Sequence, residues 1–168
     1  MKIRQFLLCI VVLMSCMTIG CSSVGNRLDY LQSGGRAEVE GEIDGLAFRG
    51  VITIAAGGDE VSIEYLAPTD LCGLVILVDG EACRVRLGDV QFNCDVSEVS
   101  GFLRPVVAFL PQGEAKSVQK DGKNTVLVFP SEQTLTLSDQ GEPIAFTGEN
   151  LWVRVVWWQS SAPAEQNA

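Results

Sequence analysis

The sequence predicts a mainly β chain: one strongly curved antiparallel sheet, an open half-barrel, with one or two short helices covering its concave apolar face. Three observations lead there. Between Arg36 and Trp158 the dominant hydrophobic period is two, the pattern of strands with one buried face. Turn signals such as Asp44-Gly45, Asp79-Gly80, Gly88-Asp89 and Asp121-Gly122 punctuate it at short intervals, as hairpins require. The period breaks once, between Ser97 and Leu110, where the pattern fits short helices. A twisted sheet of about ten strands tends to curl, and a helix at its mouth would then enclose an apolar hollow.

The first hairpin follows from its turn. A two-residue turn at Asp44-Gly45 places Ile43 opposite Leu46, Gly41 opposite Phe48 and Ala37 opposite Ile52. It also places Glu40 opposite Arg49 on the other face, where an ion pair is expected beside Glu38 and Glu42. A slip of one residue would destroy that division of faces. Gly57-Gly58 starts the next turn, and Val61, Ile63 and Tyr65 extend the apolar face beside Ile54 and Ile52.

Pro68 and Gly73 then break the pattern, so residues 65–73 read as a crossing loop. Leu74 to Val78 is a fully apolar strand, returned by Asp79-Gly80 and again by Gly88-Asp89. These registers put Leu74, Ile76, Cys83, Val85, Leu87, Val90, Phe92 and Cys94 on one face. In the helical stretch Ser97 can cap, and Pro105 would start a second helix or kink the first. Strands resume near Val118, and Leu137, Ile144, Phe146, Leu151, Val153, Val155 and Trp157 fall on one face by parity. Trp152 and Trp158 then face outward with Arg154. Trp157 reads as core, and the outward pair as ordinary edge residues rather than a docking surface.

The first residues carry a different signal. Lys2 and Arg4 precede an uncharged run from Phe6 to Ile19, the basic and apolar regions of an export signal. The run is short for a spanning helix, which needs about 20 apolar residues. It ends at Thr18-Ile19-Gly20-Cys21-Ser22-Ser23, which resembles the lipobox of bacterial lipoproteins, with Thr18 where leucine is usual. Leu13-Met14-Ser15-Cys16 is a rival box, but cleavage there would leave apolar Met17-Thr18-Ile19 in the mature chain. Lipidation is therefore expected at Cys21. The expected layout is a signal at 1–20, a lipidated N-terminus and tether at 21–35, the half-barrel at 36–158 and a disordered tail at 159–168. The tether is expected to carry one helical turn near Leu28-Asp29-Tyr30-Leu31.

Composition excludes several functions. Loss of Lys2 and Arg4 takes Lys plus Arg from 12 to 10, while Asp plus Glu stays at 21, so net charge moves from −9 to −11. Such a surface repels phosphate backbones, so nucleic acid is not an expected partner. It also opposes peripheral docking on anionic lipid, leaving the anchor to hold the protein at the extracytoplasmic face of the cell membrane. There is no histidine, which removes the commonest general base and metal ligand. Glu38, Glu40, Glu42, Asp59, Glu60 and Asp79 sit on wet strand faces and turns, with no calcium-loop spacing among them. Gly34-Gly35 and Gly57-Gly58 do not open helices, and no serine elbow occurs. No catalytic residue, metal or cofactor is expected, and the chain reads as a non-enzyme.

Cys83 and Cys94 fall opposite one another about the turn at Gly88-Asp89. In a hydrogen-bonded cross-strand pair the Cα atoms lie about 5.5 Å apart, within disulfide range. An exported hairpin could bridge them, or both could be small core residues.

The strand order and spacing resemble the LolA/LolB-like half-barrel superfamily of bacterial envelope lipoproteins and lipoprotein carriers. The likeness runs from Arg36 to Trp158. Its carriers are Ala37-Glu38-Val39-Glu40-Gly41 and the segment from Tyr65-Leu66-Ala67-Pro68 through Leu71-Cys72-Gly73-Leu74 to Asp79-Gly80. Toward the end they are Leu135-Thr136-Leu137-Ser138-Asp139 and Gly141-Glu142-Pro143-Ile144. The resemblance implies an apolar hollow that binds acyl chains of lipids or lipoproteins. It implies as lining Phe48, Ile52, Ile54, Ile63, Tyr65, Leu74, Ile76, Phe92, Phe102, Leu103, Val107, Phe146, Val153 and Trp157. The expected partners are a membrane through the N-terminal lipid, and acyl chains. The alternative is a lipoprotein without a cavity that contacts or senses an envelope membrane protein. A monomer is expected.

Overall fold

The computed structural model describes residues 28–111 and 113–161. Cys21, the expected export signal, the first part of the expected tether and residues 162–168 lie outside the described residues.

A short helix, α1 (Asp29–Ser33), precedes six strands: β1 (Gly35–Ile43), β2 (Leu46–Ile54), β3 (Glu60–Ala67), β4 (Leu74–Asp79), β5 (Ala82–Leu87) and β6 (Val90–Cys94). A 3₁₀ turn at Val96–Val99 leads into α2 (Ser100–Val107), and five more strands follow. These are β7 (Ser117–Asp121), β8 (Asn124–Val128), β9 (Thr134–Leu137), β10 (Pro143–Gly148) and β11 (Leu151–Ser160). All eleven form one open antiparallel sheet in the order β6-β5-β4-β3-β2-β1-β11-β10-β9-β8-β7. Each half is a meander of neighbouring hairpins, and the halves meet where β1 pairs β11. The middle of the chain must therefore travel from one sheet edge, β6, to the other, β7. That connection carries α2 across the concave face.

The hairpins obey their turns. Ile43 faces Leu46, Gly41 faces Phe48 and Ala37 faces Ile52, with Asp44 and Gly45 both at positive φ as the tight turn demands. The Gly88-Asp89 turn likewise sets Leu87 opposite Val90 and Cys83 opposite Cys94.

Parity fails where a strand gains a residue. On β11, Glu38 pairs Trp157 and Val39 pairs Val155, so Val156 is an extra, exposed residue. Beyond it the faces exchange. The expectation that Trp157 lies inside and Trp158 outside is reversed. Trp157 is exposed and donates its indole N–H to the Glu38 carboxylate at 2.9 Å, whereas Trp158 packs on the core and meets Tyr30 edge-on at 5.7 Å. Irregularities at Leu66 and Ile144 act similarly: Arg49 pairs Ala67 while Gly50 pairs Tyr65, and Pro143 takes the inward place expected for Ile144. The outer-face ion pairs also differ from expectation. Arg49 reaches diagonally to Glu38, and Glu40 is held by Arg154 across the β1–β11 seam.

Two inward glycines on β1 sit where a side chain would not fit. A Cβ on Gly41 would lie 2.1 Å from the Trp152 carbonyl oxygen and 2.8 Å from the Phe48 ring. One on Gly35 would lie 2.2 Å from the Trp158 ring. An aromatic ring over Gly35, and the β11 backbone with the Phe48 ring beside Gly41, take the space that only glycine leaves free.

The supposed tether is part of the fold from Leu28 onward. Tyr30 is buried, and the sheet extends from Gly35 to Ser160, slightly beyond 36–158 at both ends.

Candidate functional site

The helical connection is built locally. The Glu98 carboxylate accepts from the Asp95 N–H at 3.2 Å, so Asp95, not Ser97, occupies the capping position of the 3₁₀ turn. Pro105 lies inside α2 and offers no N–H to the carbonyl one turn back, at Gly101. Leu103, Pro105 and Val106 face the sheet and are buried. Phe102 and Val107 are exposed.

Two tyrosines hold this connection at both ends. Tyr65, from β3, donates its hydroxyl to the Phe102 carbonyl at 2.6 Å. Tyr30, from α1, donates to the Phe109 carbonyl at 2.5 Å. Burial pushes both phenols above their ordinary range, so each stays a neutral donor. Arg104 adds a third attachment, donating to the Asp44 carboxylate at 2.5 Å and to the Glu149 carbonyl at 3.0 Å. The Arg104 contacts fasten α2 to the hairpin turns at the end of the sheet where β1 finishes.

The sequence-predicted lining residues fall into overlapping sets: a buried cluster that also includes Phe48, Tyr65 and Phe146, two clefts, and two residues outside all of these. Ile52, Ile54, Ile63, Ile76, Leu103 and Val153 belong to one continuous buried cluster that fills much of the concave side, and Leu74 packs partly buried against it. Phe48, Tyr65 and Phe102 come together around an open cleft of about 250 Å³. Val107 and Phe146 border a separate cleft of about 270 Å³ with Leu110, Pro111 and Phe129. Phe92 stands exposed on edge strand β6, and Trp157 is on the opposite face of the sheet.

Sequence reading missed the rest of the first cleft: Ile43, Leu46 and Ala47 around the β1–β2 turn, with Pro68 and Leu71 from the crossing loop. Leu46 is 73% exposed and Phe102 41%, so the rim is apolar and open to water. A leucine directly after a two-residue turn, where polar residues usually stand, was the available signal. Chemically the cleft offers apolar surface, with Asp44 at its border. Cys83 and Cys94 lie at the other end of the sheet as free thiols, the Cys94 S–H donating to the Cys83 sulfur at 3.4 Å.

The described residues form one open antiparallel sheet whose two halves are joined by a helical connection. Solved structures carry the comparison. The chain is similar to an uncharacterised conserved protein from Thermus thermophilus, with a TM-score of 0.55 at 13% identity over 86% of this chain and 91% of that one. At that identity the likeness is one of fold. It is also similar to a LolA superfamily protein from Nitrosomonas europaea, with a TM-score of 0.42 at 9% identity over 88% and 96% of the two chains. A third similarity is to an outer membrane lipoprotein-sorting protein domain from Vibrio parahaemolyticus, described as putative in its source, with a TM-score of 0.45 at 10% identity over 86% and 93%. No family model matches the chain, and no curated protein matches it.

Proposed function

We propose that this chain is an exported, lipid-anchored envelope protein that binds an acyl chain without catalysis, in the cleft between α2, the β1–β2 turn and the 68–73 loop. The observation behind this reading is the apolar cleft itself, with Phe102 and Leu46 left in water at its rim. Unpaired large apolar groups around a concavity mark a place where another apolar group belongs. At about 250 Å³ the cleft is a little smaller than the ~300–1,000 Å³ usual for small-molecule sites. A long chain would enter only as Phe102 swings aside. Gly101 allows this, having open space around it, and Pro105 leaves the helix one hydrogen bond short beside it.

Titration with a fluorescent fatty acid tests the reading, using wild type and Phe102→Ser. Saturable binding to wild type, weakened about tenfold or more in the variant, is expected. Absence of probe binding, together with lipid-free protein in native mass spectrometry, would sink it. A second reading then stands, supported by the filled concave side: a lipoprotein that contacts an envelope membrane protein through its exterior, where Trp152 and Trp157 are exposed. Anchoring is tested separately. Cys21→Ala should release the protein from membranes or leave it uncleaved and Cys16→Ala should not, and the reverse result would move the anchor.

A further inference from the structure

The edge strand β6 is weakly held. It pairs only with β5, and on it Val90 is 64% and Phe92 51% exposed, so little apolar burial fastens it. Its release would matter beyond the edge, because only residues 95–99 separate it from α2. At its last position the register brings Cys94 opposite Cys83, both free thiols, with the Cys94 S–H donating to the Cys83 sulfur at 3.4 Å.

We infer that Cys83 and Cys94 are a dithiol that an external disulfide oxidises to a cross-strand bridge, and that the bridge fastens β6 and the approach to α2. The inference stands independently of acyl-chain binding. The two sulfurs already meet in one space, on adjacent strands whose Cα spacing suits a disulfide. A cleft of about 300 Å³, bordered by both cysteines with Glu60, Asp79 and Arg84, opens to solvent there and admits an oxidant.

The two thiols have distinct roles. Cys94 is the less buried of the two and attacks first. Cys83 is buried, and burial, with the contact to Cys94, pushes its thiol up to about 11, so it follows. The Cys94 thiolate attacks one sulfur of the oxidant's disulfide; that S–S bond breaks, a mixed disulfide forms and one thiolate leaves. The Cys83 thiolate then attacks the Cys94 sulfur, forming the Cys83–Cys94 bond and expelling the second thiolate. The two thiol protons end on the two leaving thiolates, and two electrons have passed to the oxidant. Cys72, exposed beyond the opposite end of β4, has no cysteine opposite it in the register and serves as an internal reference.

The test uses the full chain extracted from the envelope in detergent, held with excess oxidised or reduced glutathione, then alkylated under denaturing conditions. After oxidation, peptides containing Cys83 and Cys94 should be linked and unalkylated, with Cys72 blocked by glutathione or alkylated but not linked to either. Amide exchange over residues 90–94 should be about a hundredfold slower in the oxidised protein, the scale set by closing a loop of roughly this length. Cys94→Ala should show the fast rate under both conditions; if that variant does not fold, the two redox states of wild type carry the comparison. Full alkylation of Cys83 and Cys94 after oxidation would overturn the inference. A linked pair with unchanged exchange in β6 would overturn the fastening role.

Discussion

Replacing Leu103 with alanine asks whether α2 is packed core or a loosely resting cover. Leu103 is 4% exposed and belongs to the same buried cluster as Tyr65, Phe109 and Val153. The change deletes three carbons, worth about 2.4 kcal/mol at ~0.8 kcal/mol each. If roughly 50 Å³ stays unfilled, the cavity adds about 1.2 kcal/mol at ~24 cal/mol per Å³. The site cannot easily collapse, because Tyr65 and Tyr30 hold the carbonyls of Phe102 and Phe109 and Arg104 ties the helix to two turns. A loss of about 2.5–4 kcal/mol is therefore expected, read as a shift in urea midpoint at constant slope. Val107→Ala, one turn along the same helix but 53% exposed, is the control and should change stability by less than about 0.5 kcal/mol. Fluorescent fatty acid exchange measured on the same two variants adds the functional half. A Leu103→Ala loss below about 1 kcal/mol, equal to the control, would refute the packing argument and show that α2 is not seated in solution. A large loss with no probe bound to any variant would leave a filled core and end the acyl-chain reading.

Tyr65→Phe removes the donor to the Phe102 carbonyl and should cost about 1–2 kcal/mol in urea unfolding, with faster amide exchange at the start of α2. Gly41→Ala should be more damaging than its size implies, because a Cβ would lie 2.1 Å from the Trp152 carbonyl oxygen; a loss of about 3 kcal/mol or failure to fold is expected from a thermal melt. Glu38 has its carboxyl lowered below the usual range by the Trp157 indole N–H and then by Arg49. A lowered folded-state value means that its stabilisation is present above the ordinary glutamate value near ~4.3 and disappears as pH falls through the folded value. Trp157→Phe should move the Glu38 titration upward by NMR, and an unchanged titration would remove the indole from the explanation.

Local chemistry was legible in the sequence wherever one turn or one face decided the outcome. Asp44-Gly45 and Gly88-Asp89 impose their pairings within a few residues, so the β1–β2 register and the Cys83–Cys94 opposition could be written down in advance. The break in period at Ser97 located the helical connection, since a segment whose apolar residues stop alternating cannot keep one face of a sheet dry. Tertiary structure decided what depends on distant strands. Val156 is extra only in the pairing of β11 with β1, and that single residue exchanged the places of Trp157 and Trp158. Glu40 found Arg154 rather than Arg49 because β11, more than 100 residues away in the chain, closes against β1. Which apolar residues border open space was also beyond the pattern. Alternation tells that Ile52 and Phe48 face the same side, and both are buried in the core, but only the path of α2 from one edge of the sheet to the other leaves Phe48 also bordering a cleft. Periodicity reports which face a side chain takes, whereas filling that face depends on volumes brought from elsewhere in the chain.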